Sequence, residues 1–162
     1  MSSVRFVADV MLGSLSRWLR LFGFDTLYSN KFTDKELIKI SIQDSRILLT
    51  RDTILAKSKL LKNVLLIHSE DVKEQIKEVL SQIPCINLFS LTPRCPVCNG
   101  EMEKIKKEEI MKFKNEIPDH VFFTSEEFVV CRSCKKLYWH GTHKDRINKI
   151  KKEILKELGK GF

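Results

Sequence analysis

The chain of 162 residues has no long hydrophobic run. Its apolar stretches last only a few residues, far short of the ~20 that a membrane-crossing helix needs. Its start lacks the basic segment and long apolar stretch of a secretory leader. A membrane partner is therefore not expected, and a reducing, cytoplasmic setting is, in which thiols stay free. Several catalytic signatures are missing as well. There is no G-x-S-x-G elbow and no P-loop, and the 4 histidines have no obvious nucleophile partner. No low-complexity linker and no long repeat divides the chain.

What is present is the composition of a globular protein, 43% hydrophobic and 31% charged, enough for one substantial core and a small appendage. The formal net charge of +8 points to a polyanionic partner, with nucleic acid first among them, although a lysine-rich surface also serves solubility. The excess leans toward the second half: residues 1–90 carry +3 and residues 91–162 carry +5.

Four of the 5 cysteines form two matched pairs, Cys95-Pro-Val-Cys98 and Cys131-Arg-Ser-Cys134. A two-residue gap wraps one turn of backbone around a tetrahedral ion, and two such pairs make a structural zinc site. Arg94, Arg132, Lys135 and Lys136 nearby favour the thiolate form. A redox C-x-x-C is the competing reading, but such a motif is expected once, opening a helix after a strand. Cys85 follows Pro84 in an apolar stretch and is expected in the core.

Apolar runs alternate with helical patterns in a βαβα rhythm, which predicts an α/β fold with a parallel sheet flanked by helices. Strands are expected over residues 4–8, 26–29, 46–50 and 64–68, with a possible fifth over 86–89. Leu12, Leu15, Leu19 and Phe22 give one helix an apolar face that ends at Gly23, with Arg17 and Arg20 projecting away from it. Thr33 and Glu36 form a capping box that sets Asp34 at a helix start. Residues 71–83 predict another helix with Val72, Ile76, Val79 and Leu80 inward. Residues 91–162 predict a small zinc ribbon with strands over 101–105, 128–130 and 137–139. A polar helix is inserted near 108–116, and the ribbon is expected to have almost no core of its own. A final helix over 144–158 carries Ile147, Ile150, Ile154, Leu155 and Leu158 on one face.

Aspartates recur at the carboxyl ends of the predicted strands, the edge at which open α/β sheets bind ligands. Asp9 closes the first, Asp52 follows the third, and Asp34 could converge on the same crevice. Carboxylates gathered there repel one another unless a divalent cation, Mg²⁺ or Mn²⁺, neutralises them and prepares a water for attack on a phosphodiester. Each aspartate also has a plain structural reading as a helix cap.

These residues resemble a known family. Phe6-Val7-Ala8-Asp9-Val10-Met11-Leu12-Gly13, the run from Leu15 to Asp25, Arg46-Ile47-Leu48-Leu49-Thr50-Arg51-Asp52, the paired knuckles and Tyr138-Trp139-His140-Gly141-Thr142-His143 are similar to the Mut-seven C-terminal ribonuclease family. That family joins a PIN-like nuclease domain, here residues 1–90, to a zinc ribbon, here 91–162. The resemblance implies metal-dependent RNA cleavage with Asp9, Asp34 and Asp52 as acidic ligands of Mg²⁺ or Mn²⁺, and Cys95, Cys98, Cys131 and Cys134 on zinc. PIN nucleases commonly use a fourth acid, for which Asp25, Asp44 and Asp71 are candidates. The family's usual G-S-H ending reads Gly141-Thr142-His143. RNA is expected to contact Arg17, Arg20, Lys135, Lys136 and His143, with the ribbon as one wall of the groove and His143 presented to the acidic crevice; alternatively His143 only closes the ribbon. Three other classes remain. They are a degenerate, non-catalytic RNA binder using Tyr138 and Trp139 for stacking, a zinc-ribbon docking protein, and a phosphoreceiver. The last lacks an acidic pair after strand one and a lysine after residues 86–89.

Overall fold

A computed structural model of the chain describes residues 4–83, 87–125, 127–139 and 142–159, with the side chains of Lys107, Thr142, His143 and Lys144 outside that description. Strands β1 (Arg5–Ala8), β2 (Asp25–Tyr28), β3 (Ile47–Thr50) and β4 (Val64–Leu66) pair in parallel in the order β2-β1-β3-β4. The expected fifth strand is a correction: residues 88–90 form a turn, and Ile86, like Cys85, lies outside the described residues. Three helices cross between the strands, as a parallel sheet requires: α1 (Gly13–Phe22), α2 (Asp34–Gln43) and the single-turn α3 (Thr53–Ala56). Helix α4 (Val72–Gln82) follows β4.

Alternation along the strands divides the core in two. Phe6, Ala8 and Leu49 face α1, α4 and the last helix, α6 (Thr142–Glu157), whereas Val7 and Leu48 face Leu37 of α2 and Leu55 of α3. Burial of each such large side chain is worth about 1.5–3 kcal/mol. Helix α1 stops because Gly23 takes a left-handed φ of 104°; its N–H reaches Arg20 O at 3.0 Å and Phe24 N–H reaches Leu19 O at 2.9 Å. A side chain at Gly23 would also collide with Leu91 Cβ, 2.5 Å from an added Cβ. The capping box at α2 forms as expected, with Thr33 Oγ1 accepting from Glu36 N–H and the Glu36 carboxylate accepting from Thr33 N–H.

The second sheet is antiparallel, in the order β5 (Met102–Ile105), β6 (Phe128–Cys131), β7 (Leu137–Trp139). Its inserted segment differs from expectation. Residues Lys107–Glu116 wind as a 3-10 helix, and a short α5 (Asp119–Thr124) follows Pro118. This insertion gives the ribbon a core of its own, in which Ile110, Ile117 and Val121 cover Phe128, Val130 and Leu137. This core is not visible in the sequence because its apolar residues are spread through a lysine- and glutamate-rich segment with no single periodicity.

Helix α6 follows the ribbon in sequence yet completes the core of the parallel sheet, burying Ile154 and Leu155 with Ile147, Ile150 and Leu158 packed alongside. Its direction is fixed by ion pairs. Glu157 accepts from Lys73 and Lys77, both at 2.8 Å, in the half of α4 that starts just beyond the carboxyl end of β4. The C-terminus of α6 therefore lies at the carboxyl edge of the sheet. Its N-terminus, with His143 in the first turn, lies about 20 Å away at the other edge, since each helical residue advances 1.5 Å. His143 is thus not carried toward the acidic crevice, and its side chain lies outside the described residues.

Candidate active site and metal centre

The strand order reverses at β1, so the crevice between the carboxyl ends of β1 and β3 is the switch point at which open α/β sheets bind ligands. Asp9 and Asp52 flank it. Asp9 is 6% exposed; its Oδ1 accepts from Val10 N–H at 2.5 Å and its Oδ2 from the Thr50 hydroxyl at 2.7 Å. The same Thr50 oxygen accepts from Asp52 N–H at 2.9 Å, so one hydroxyl ties the two acidic loops together. Asp52 caps α3 through Oδ1, which accepts from Ile54 N–H at 2.6 Å and Leu55 N–H at 3.1 Å; no described residue donates to its Oδ2. The capping reading therefore holds for both aspartates, and it leaves acceptor capacity on each. Asp34 is exposed in the first turn of α2 at the same edge.

Hard oxygen donors of this kind suit Mg²⁺ or Mn²⁺, which are commonly held by one or two carboxylates and completed by water. Among the described residues, only cysteines bring three or more metal-binding atoms within 4.8 Å of one another, so the aspartates offer an open shelf and no ready-made cage.

Cys95, Cys98, Cys131 and Cys134 meet where the two knuckles face each other. The Cys98 and Cys131 sulfurs lie 3.4 Å apart, and those of Cys95 and Cys134 3.7 Å. The knuckles repeat one geometry. Cys95 N–H reaches Gly100 O and Cys131 N–H reaches Lys136 O, both at 2.9 Å, while Asn99 (φ 66°) and Lys135 (φ 61°) take the left-handed turn after each second cysteine. Burial raises the Cys95 pKa, but the Tyr138 hydroxyl, 3.2 Å from its sulfur, and local N–H groups bring it down to about 6. Cys98 is pushed up to about 12 by burial and by neighbouring sulfurs. One thiolate is favoured and further ones are opposed, the imbalance that a cation at the centre relieves.

A family model for the Mut7-C RNAse domain matches residues 4–151. The chain belongs to the Mut7-C RNase family. No curated protein and no solved structure matches it.

In this Mut7-C chain the remaining expected residues divide by position. Arg17 is exposed on α1. Arg20 is a correction: it is 5% exposed, its Nε donating to Thr26 O at 2.8 Å and its Nη1 to Pro96 O and Val97 O at 3.1 Å. Arg20 fastens the first knuckle to the sheet and is not presented to a phosphate. Burial lowers its pKa, against the attraction of Cys95 and Cys98. Asp25 and Asp44 are not the fourth acid, because both lie at the amino edge of the sheet, where Arg46 pairs with them. Asp71 is at the carboxyl edge and caps α4 by accepting Glu74 N–H at 3.0 Å. Tyr138 is turned to the cysteines, while Trp139 is 37% exposed. Lys135 and Lys136 are exposed on the second knuckle.

Because Asn99 of the first knuckle accepts from Thr26 N–H at 3.0 Å and donates to Asp25 at 2.7 Å, that knuckle docks at the amino edge, opposite Asp9 and Asp52. The expected groove wall beside the acidic crevice is therefore not formed by the first knuckle. The linking roles of Thr50 and Asn99 went unread. A hydroxyl just before the strand-end Arg51-Asp52 pair and an Asn-Gly step after Cys98 were the signals available.

Proposed function

We propose that this chain is a metal-dependent ribonuclease whose centre is the Asp9–Thr50–Asp52 shelf, with Asp34 at its lip. The observation that carries the reading is the placement of two aspartates at the switch point of the sheet, coupled through the Thr50 hydroxyl. The chemistry supplied by Mg²⁺ or Mn²⁺ is neutralisation of the scissile phosphate and a water made ready to attack. Thr50 holds Asp9 Oδ2 in place, and the α3 N-terminus holds Asp52 through Oδ1, leaving Oδ2 without a donor among the described residues. Zinc is the ion that suits the four thiols, since Zn–S bonds of about 2.3 Å set sulfurs about 3.8 Å apart in a tetrahedron. Residues 1–90 with α6 then form the nuclease part, and the intervening ribbon is a structural module clamped by Arg20 and Asn99.

A second reading, an RNA binder without catalysis, is favoured by one feature: both Asp9 oxygens already accept protein hydrogen bonds. Incubating the purified protein with labelled RNA in Mn²⁺, Mg²⁺ or EDTA separates the two. The ribonuclease reading requires cleavage that EDTA stops and that Asp52→Asn lowers at least a hundredfold, with fold and zinc retained. Binding without cleavage, or wild-type rates in Asp9→Asn and Asp52→Asn, overturns it.

A further inference from the structure

The edge that carries the aspartates is electrostatically lopsided. Lys31 precedes α2, Lys35 and Lys39 stand one turn apart on it, and Lys57 and Lys59 follow α3; all five are exposed. None of them pairs with an acidic group among the described residues. Leu37 and Ser41 are buried against the sheet, which leaves Lys35 and Lys39 on the outer side of α2.

The β4 side of the same edge is the opposite. Glu70, Asp71 and Glu74 gather there with only Arg51, Lys73 and Lys77 against them, Arg51 held by Glu70 at 3.1 Å and the two lysines by Glu74, Glu153 and Glu157. Helix α6 also has exposed cations, but it lies on the other face of the sheet and meets this edge with Glu153 and Glu157. A polyanion seated on the shelf meets repulsion toward α4 and attraction toward α2 and α3. Large apolar side chains stand at the mouth of the attractive side: Ile54 is 82% and Met11 60% exposed, each two residues from an aspartate. Such exposure offers contact to bases that a duplex would keep stacked inside.

We propose that RNA runs from the aspartate shelf across the outer face of α2 and α3, with its phosphates on Lys31, Lys35, Lys39, Lys57 and Lys59. This assigns the main RNA contact to the sheet unit and not to the cysteine ribbon. It rests on the ribonuclease reading for the location of the reacting phosphate, while its test reads binding.

The test is fluorescence anisotropy of a labelled unpaired RNA with the zinc-loaded protein, in buffer free of added Mg²⁺ and Mn²⁺ and without chelator, across a KCl titration. Each phosphate contact in a single strand contributes about 0.7 to the slope of log affinity against log salt. The triple variant Lys35→Gln/Lys39→Gln/Lys59→Gln should lose about 2 from that slope and bind at least tenfold more weakly at low salt, with an unchanged Tm because glutamine keeps helix propensity. Lys149→Gln/Lys152→Gln on α6 and Lys135→Ala/Lys136→Ala on the ribbon should each keep the slope within about 0.5 of wild type. An unchanged slope in the triple variant overturns the track, as does a larger loss in either comparison variant. Binding to phosphatidylserine vesicles with the same lysine dependence, but not to RNA, also overturns it. RNA bound with the expected slope but never cut in Mn²⁺ or Mg²⁺ leaves the track standing and removes the ribonuclease reading. RNA cut normally by a triple variant of wild-type affinity removes the track alone.

Discussion

Thr50 donates its hydroxyl to Asp9 Oδ2 at 2.7 Å while accepting the backbone N–H of Asp52, so the carboxyl ends of β1 and β3 are joined by a side chain as well as by the sheet. Both Thr50 and Asp9 are buried. A hydroxyl here does what an apolar residue of the same shape would not: it satisfies a buried carboxylate oxygen and fixes the direction in which the carboxylate points.

Thr50→Val should therefore cost about 1–3 kcal/mol of stability by leaving Asp9 Oδ2 without its donor. RNA cleavage should fall at least tenfold, while Thr50→Ser should recover most of both. Denaturant unfolding and single-turnover cleavage check this. A valine variant with unchanged rate would mean that Thr50 is a packing residue only.

The contact between knuckle and sheet has its own acid signature. Burial raises the Asp25 pKa, but Arg46, donating to both oxygens at 2.9 and 3.2 Å, and Asn99 hold it below its ordinary 3.8. A depressed carboxylate pKa stabilises the fold above the unfolded value, and that contribution is lost as pH falls through the folded one. Asp25→Asn should cost about 1–3 kcal/mol at neutral pH, because the buried Arg46 loses the nearer of its two carboxylate partners and keeps Asp44. It should also flatten the loss of stability below about pH 4 relative to wild type. Equal acid sensitivity in the two proteins would show that Asp25 does not couple the knuckle to the sheet.

The four strands of a parallel sheet, the Gly23 stop, the Thr33 cap and the cysteine knuckles were legible because each is written in a short span: short apolar runs alternating with helical periodicity, one glycine, one capping box, two C-x-x-C pairs. The parts that were not legible depend on distant segments meeting. Arg20 reads as an outward cation on a helix wheel, yet the carbonyl of Thr26 in β2 and those of Pro96 and Val97, from a loop 76 and 77 residues away, converge on it. Similarly, the apolar face of α6 reads as a helix docked on the body, and it docks, but its place in the chain groups it with the ribbon half. Only its packing against α1 and its ion pairs with α4 show that it completes the first core. For the candidate site, the sequence placed Asp9, Asp34 and Asp52 at one edge but not the threonine that links two of them.

Zinc removal should be felt in the ribbon first. About one zinc per chain is expected, and Cys131→Ser should abolish it, removing metal-binding free energy on the order of 10 kcal/mol from the ribbon. The two tryptophans report the parts separately, Trp18 in α1 and Trp139 in β7. In a Trp18→Phe background, Cys131→Ser should shift Trp139 emission to the red, with the Ile110–Phe128–Val130 cluster loosened. With Trp139→Phe, the Trp18 emission of the cysteine variant should stay within a few nanometres of the parent. Loss of both signals together would mean that the ribbon and sheet fold as one cooperative unit.

Lys151 gives the last prediction. Its ammonium is buried in α6, donates to Leu88 O at 3.2 Å and lies 5.3 Å from the Phe22 ring centroid and 5.9 Å from that of Phe89. Burial brings its pKa down from 10.5 to about 8. Between these values the unfolded chain binds more protons than the folded one, so stability rises with pH across that window, by at most about 1.4 kcal/mol per pH unit. Below about 8 the buried charge imposes its full cost. Lys151→Met keeps the length of the side chain and removes the titration. Unfolding free energies measured from pH 8 to 10.5 should rise for wild type and stay flatter for the variant, which should gain most at neutral pH. Parallel curves for the two proteins would place the ammonium in contact with water and remove α6 docking from the list of pH-dependent contacts.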